Sequence, residues 1–164
     1  MAVLGFGPSR KNPVFCNFCF ERLPLGGAHV DIAVLFADVR GSTALGERLA
    51  PAAFIALMNR FYRAATDVLL AHGAIVDKFV GDEVVALFIP GLSGPAYRSL
   101  AARAGRALVR AMGHGSGAGP WLALGVGVHA GAAFVGNVGT EGVADFTALG
   151  DTVNIAAQIG RAHV

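Results

Sequence analysis

AIVDKFVGDEVVALFI, residues 74–89, decides the fold. Two apolar runs, Ala74 to Val80 and Glu83 to Ile89, flank Gly81-Asp82, a turn signal, so the stretch reads as a hairpin of two strands. Upstream, Phe54, Leu57, Met58, Phe61 and Val68 repeat at helical spacing after Pro51, which suits a first helical turn, and Gly73 ends the helix. Before that, VDIAVLFADV (Val30 to Val39) is a β-branched apolar run long enough for one buried strand. Downstream, Pro90 to Pro95 reads as a loop and Tyr97 to Met112 as a second helix. Leu122 to His129 and Ala132 to Val138 read as another strand pair, Phe146 to Leu149 as a short strand, and Thr152 starts a helix. The order β-α-β-β-α-β with extra strands is the ferredoxin-like split βαβ plan. It predicts an α+β domain with a largely antiparallel sheet and helices on one face.

Composition narrows the classes. The 164 residues are 54% hydrophobic and 15% charged, the opposite of a disordered chain. No apolar run reaches the roughly 18 residues that would span a bilayer. The longest candidate, Pro51 to His72, is broken by Asn59, Arg60, Arg63 and Asp67. Net charge is +2, too mild to predict a nucleic-acid partner. Met1 to Arg10 has neither an apolar core nor a small-residue cleavage site, so a cytoplasmic location is expected. With 23 residues, glycine is at about twice ordinary usage and marks turns and tight backbone approaches. Residues 1–27, rich in Gly and Pro, read as an extended lead-in.

Asp38 ends an otherwise apolar strand, where a buried carboxylate without a partner would be costly. Gly41-Ser42-Thr43 follows as a small-residue loop heading into a helix, where free backbone N–H groups favour anions. Asp82 sits at the tip of the neighbouring hairpin, which in this topology can bring it beside Asp38. Two carboxylates over such a loop suit a divalent metal with phosphate oxygens. The plainer alternative is that both serve local turns and caps. Glu83, next along, is expected on the other sheet face.

LFADVRGST (Leu35 to Thr43), DKFVGDEVVALF (Asp77 to Phe88) and FTALGDTVNIAA (Phe146 to Ala157) resemble the catalytic domain of class III nucleotidyl cyclases. The resemblance covers about residues 28–157 and implies the same ferredoxin-like palm, working as a homodimer with active sites shared at the interface. It implies that Asp38, Asp82 and the Val39 carbonyl hold two Mg²⁺ or Mn²⁺ ions. Lys78 matches the lysine that reads the adenine edge, and Asn154 the asparagine that orients the ribose. Thr147 falls where many adenylyl cyclases carry Asp, and a Thr there resembles a subgroup of them, a plain strand threonine being the alternative; guanylyl cyclases carry Glu and Cys at the Lys78 and Thr147 positions. The resemblance therefore implies ATP as substrate and 3′,5′-cyclic AMP and pyrophosphate as products. A catalytically silent nucleotide-binding or dimerisation module is the alternative.

One position departs from the family pattern. Its transition-state arginine falls four residues after Asn154, where this chain has Gln158. The IGRAHV that follows, Ile159 to Val164, is what a common sequencing adapter encodes, so residues 159–164 are expected to be a non-native tail on a catalytic domain of residues 28–158 cut short. Cys16-Asn17-Phe18-Cys19 supplies two thiolates, half a structural zinc site; a dimer could supply four, and buried free thiols are the alternative. Arg98, Arg103, Arg106 and Arg110 read as a solvated helix face. GVGVHAG (Gly125 to Gly131) lacks the spacing of a dinucleotide fingerprint. The chain also lacks the exposed aromatic strand motif of RNA-binding ferredoxin-like domains.

Overall fold

A computed structural model of the chain describes residues 6–10, 13, 15–140 and 143–162. A short helix, α1 (Asn17–Glu21), precedes β1 (Gly26–Val39), and α2 (Ser42–Arg48) and α3 (Pro51–Ala71) follow it. The hairpin β2 (Ile75–Val80) and β3 (Glu83–Phe88) leads through one turn of helix, α4 (Pro90–Ser93), into α5 (Tyr97–Ala111). β4 (Leu124–Thr140), β5 (Val143–Leu149) and α6 (Asp151–Arg161) complete the fold. The sheet order is β2-β3-β1-β4-β5, every neighbouring pair antiparallel, which is the predicted ferredoxin-like plan with one strand added at the edge.

Alternation along β1 divides the core in two. Ala33, Leu35, Ala37 and Val39 pack with Phe61, Leu69 and Leu108 of α3 and α5. Ile32, Val34 and Phe36 face the other way, onto Ala156 and Ala157 of α6. Helices therefore cover both sheet faces, not one. The helix expected from Thr152 closes the second face with its apolar side.

The expected strand pair at 122–138 is one long strand. Ala130-Gly131 looked like a break, but Gly131 pairs in register with Ile32 and β4 runs on. Its glycines make room for α6: a Cβ on Gly127 would lie 2.3 Å from the Ala156 carbonyl oxygen and from the Gly160 nitrogen. GVGVHAG is thus a seat for a helix. β1 also starts earlier than predicted, because Gly26 to His29 gain ladder partners on β4.

Candidate active site

Asp38 is the last but one residue of β1, and the Val39 N–H donates to the Asp82 carbonyl oxygen at 3.2 Å. That bond pins the β2–β3 turn against the end of the central strand, as the sequence led us to expect. Gly81 takes φ +60° there, a left-handed conformation in which glycine avoids the Cβ penalty. Tyr62 of α3 donates its hydroxyl to the Gly81 carbonyl and braces the turn from outside. Burial, and then the charge of Asp82, push the Tyr62 phenol above its ordinary pKa.

Glu83 is not turned away from this corner. Asp82 lies in the turn, outside the ladder, so alternation cannot be counted from it. The ladder starts at the pair Asp38–Glu83, which puts both side chains on the α6 face. Arg161 meets Glu83 there with both arms of its guanidinium, Nε to Oε1 at 2.6 Å and Nη2 to Oε2 at 2.8 Å. Arg40 donates to the Arg161 and Ala162 carbonyl oxygens at 2.9 and 2.6 Å, placing a cation at the C-terminal end of α6. Glu83 and these two arginines are what the sequence reading missed.

The corner carries excess negative charge. Burial raises the Asp38 carboxyl above its ordinary pKa of 3.8, and the charges of Asp82 and Glu83 add to the rise; Arg40 and Arg161 pull it back in part. A carboxyl raised in the folded state contributes stability below its unfolded pKa and loses it as pH rises through the folded one. Asp38→Asn is therefore expected to raise the free energy of urea unfolding at pH 7 in chelator, by less than about 1 kcal/mol because water screens the site. The gain should vanish near pH 3. A variant less stable than the parent at pH 7 would contradict the repulsion.

Gly41, Ser42 and Thr43 stand at the start of α2, and Ser42 and Thr43 line a cleft of about 470 Å³ with Tyr62, Gly81 and Asp82. Asn154 and Gln158 are both exposed on α6, one turn apart.

Lys78 and Thr147 come from β2 and β5, the two outer strands of the sheet order, yet they share a partner. Thr147 donates its hydroxyl to Asp77 Oδ2 at 2.8 Å, and Lys78 Nζ lies 3.4 Å from the same oxygen and 3.9 Å from Asp145. The two strands therefore meet at this point on one surface. The expected base-reading pair is in one place, on a buried acid that the sequence had not singled out.

Other expectations fall out more plainly. Arg98, Arg103, Arg106 and Arg110 are exposed on α5, and Arg98 pairs with Asp31. Cys16 is half-buried and Cys19 exposed, and neither forms a disulfide, so the alternative of two buried thiols does not hold for Cys19. Among the described residues no group of three or more His, Cys, Asp or Glu is arranged so that it could hold a metal ion. No described helix is long and apolar enough to cross a membrane. Ile159, Gly160 and Arg161 of the expected tail continue α6, and Gly160 is buried; residues 163–164 lie outside the described residues.

Comparison with known proteins bears on the family and the fold. Residues 27–162 match the Adenylate and Guanylate cyclase catalytic domain. The chain is 29% identical over 160 residues to an adenylate cyclase of Anabaena cylindrica, covering 94% of this chain and 32% of that protein. It is 34% identical over 139 residues to an uncharacterized protein of Mycobacterium tuberculosis, covering 85% of this chain and 25% of the other. It thus spans between a quarter and a third of those relatives' length. Among solved structures, the adenylyl cyclase CyaB from P. aeruginosa superposes with a TM-score of 0.72 at 29% identity, over 83% of this chain and 74% of that one. The guanylyl cyclase Cya2 gives 0.71 at 28%, over 83% and 72%. On the match to residues 27–162, the chain belongs to the family of adenylate and guanylate cyclase catalytic domains.

Proposed function

We propose that this domain, residues 28–158 with the 1–27 lead-in outside it, is an adenylate cyclase that closes ATP to 3′,5′-cyclic AMP and pyrophosphate as a homodimer. The observation that carries the choice of ATP is the meeting of Lys78 and Thr147 on Asp77. Lys78 can only donate, which suits adenine N1 and opposes the N1–H of guanine. Thr147 can accept from the adenine amine.

The acidic corner fits hard divalent cations. Two carboxylates and a main-chain carbonyl are the oxygen donors such ions take, and the burial and like charge that raise the Asp38 carboxyl are what a bound cation would offset. Asp38, Asp82 and the Val39 carbonyl would hold two Mg²⁺ or Mn²⁺ ions, whose charge would lower the pKa of the ribose 3′-hydroxyl and offset that of the triphosphate. Backbone N–H groups from Gly41 to Thr43 hold phosphate oxygens. Asn154 orients the ribose so that its 3′ oxygen attacks the α-phosphorus in line as pyrophosphate leaves. By the family likeness, Lys78, Thr147 and Asn154 serve the corner of the partner chain.

Lys78→Glu with Thr147→Cys is expected to move the ATP-to-GTP ratio of kcat/KM toward GTP by about ten- to a hundredfold per mismatch. Asp77 and Asp145 flank Lys78, so the absolute rate should fall too, and the ratio is the readout. An unchanged ratio would remove these residues from base recognition. Gln158 favours the second reading, a silent nucleotide-binding module, because a neutral amide supplies no cation to the phosphoryl group.

A further inference from the structure

We propose that Asp77 is a specificity-determining positioning residue, which fixes the Thr147 hydroxyl as a hydrogen-bond acceptor and so selects purines that carry an amine at C6. The proposal rests on the adenine-reading role given above to Lys78 and Thr147. A threonine hydroxyl is ambivalent: it has one proton and two lone pairs, and it rotates to suit its neighbour. Left free, it would accept from the adenine amine or donate to guanine O6 with equal ease. Here it is not free. Its oxygen lies 2.8 Å from Asp77 Oδ2, which Lys78 Nζ also approaches at 3.4 Å, and a carboxylate paired with that ammonium can only accept, so the hydroxyl proton goes to it. What Thr147 offers elsewhere is lone pairs.

Asp77 is placed for this by an irregularity in β2. Val76 pairs with Ala86 and Lys78 with Val85, so Asp77 is the extra residue of a β-bulge. Val85 belongs to the α6-side core and Ala86 to the opposite one. The bulge therefore lets two consecutive residues, Asp77 and Lys78, share the α6-side face, where a regular strand would have sent them to opposite faces. Asp77 is 4% exposed and lies beneath the pair, while the Lys78 side chain remains 38% exposed. One buried carboxylate thus sets both polarities, holding a group that can only donate beside one that can only accept. That pattern complements adenine at N1 and the 6-amine and clashes with guanine at both. Asp77 need not touch the nucleotide to do this.

The test measures binding of 3′-deoxy-ATP and 3′-deoxy-GTP, which lack the attacking hydroxyl, to the full chain in Mn²⁺ by calorimetry. Asp77→Asn keeps the shape and lets the hydroxyl turn, so the affinity ratio is expected to fall about tenfold, mainly through tighter 3′-deoxy-GTP binding. Thr147→Val should lower the ratio similarly, the two changes together should go no further, and Thr147→Ser should keep the parent ratio. Asp77→Ser, equally neutral and smaller, makes the same test should the amide variant not fold. If both nucleotides weaken equally in the Asp77 variants while Thr147→Val moves the ratio, Asp77 is merely structural and the proposal is overturned, with base reading intact. If neither Thr147→Val nor Lys78→Glu moves the ratio, the adenine-site reading itself fails and takes the proposal with it.

Discussion

Asp38→Ala or Asp82→Ala is expected to lower cyclisation by at least about a thousandfold while leaving the chain folded. Each removes a carboxylate from the acidic corner proposed to hold the cations, and the charge stabilisation lost there would amount to several kcal/mol. Neither side chain belongs to the core clusters on the two sheet faces, so far-ultraviolet circular dichroism should match the parent's and the urea midpoint should not fall below it. The proposed sharing of sites between two chains adds a sharper form of the result. Mixing Asp38→Ala chains with Asn154→Ala chains rebuilds one complete site from two defective ones, and part of the activity should return. Undiminished Mn²⁺-dependent turnover in either single variant would refute the metal assignment. No recovery in mixed dimers that demonstrably form would refute sharing between chains.

Gln158→Arg carries the second large effect, and in the opposite direction. Asn154 and Gln158 stand four residues apart on α6, both exposed, so a group at 158 lies one turn along the same face as the proposed ribose contact. Arginine contributions to phosphoryl transfer reach about 10³–10⁵, and a restored guanidinium is expected to raise turnover by about 10² or more. Substrate affinity should change far less, because the charge it meets develops in the transition state. A rise of that kind would show a site complete except for its cation. No gain would detach position 158 from the phosphates and favour the silent module. Sequencing the source gene through codons 158–164 complements this variant: an arginine codon at 158 would support the non-native tail, and a genuine glutamine codon followed by IGRAHV and a stop would sink it.

Periodicity in the sequence was enough for most of the fold. The hairpin over 74–89 and the helices from Pro51 and Tyr97 are local signals, and their order specifies the ferredoxin-like plan. What escaped depends on partners remote in sequence. Gly131 carries no mark that separates a break from a seat for Thr152 and α6; only the helix, twenty residues on, decides it. Glu83 was assigned to the wrong face because the turn ends one residue later than simple alternation assumes, and the cross-strand pair with Asp38 is what sets its direction. Asp77 escaped for a related reason. A β-bulge is invisible in a run of alternating residues, yet it puts Asp77 under Lys78 and opposite a threonine seventy residues away.

The site divides along the same line. Asp38, Lys78, Asp82, Thr147 and Asn154 were legible as residues in motifs, since each needs only its neighbours to be recognised. The charges that modulate them, Glu83, Arg40 and Arg161, were not, because α6 folds back over the sheet to bring Arg161 onto Glu83. Asp38 and Asp82 meet for a more local reason, a single main-chain bond between neighbouring strand ends.

The most direct test of the central claim is chromatographic measurement of cyclic nucleotide and pyrophosphate formed from ATP and, separately, from GTP in Mn²⁺, using the chain and its Gln158→Arg variant. The account predicts 3′,5′-cyclic AMP with one pyrophosphate per product, a higher kcat/KM for ATP than for GTP, and loss of product on Asp38→Ala. Cyclic GMP as the main product, or no cyclic nucleotide from either chain, would contradict it.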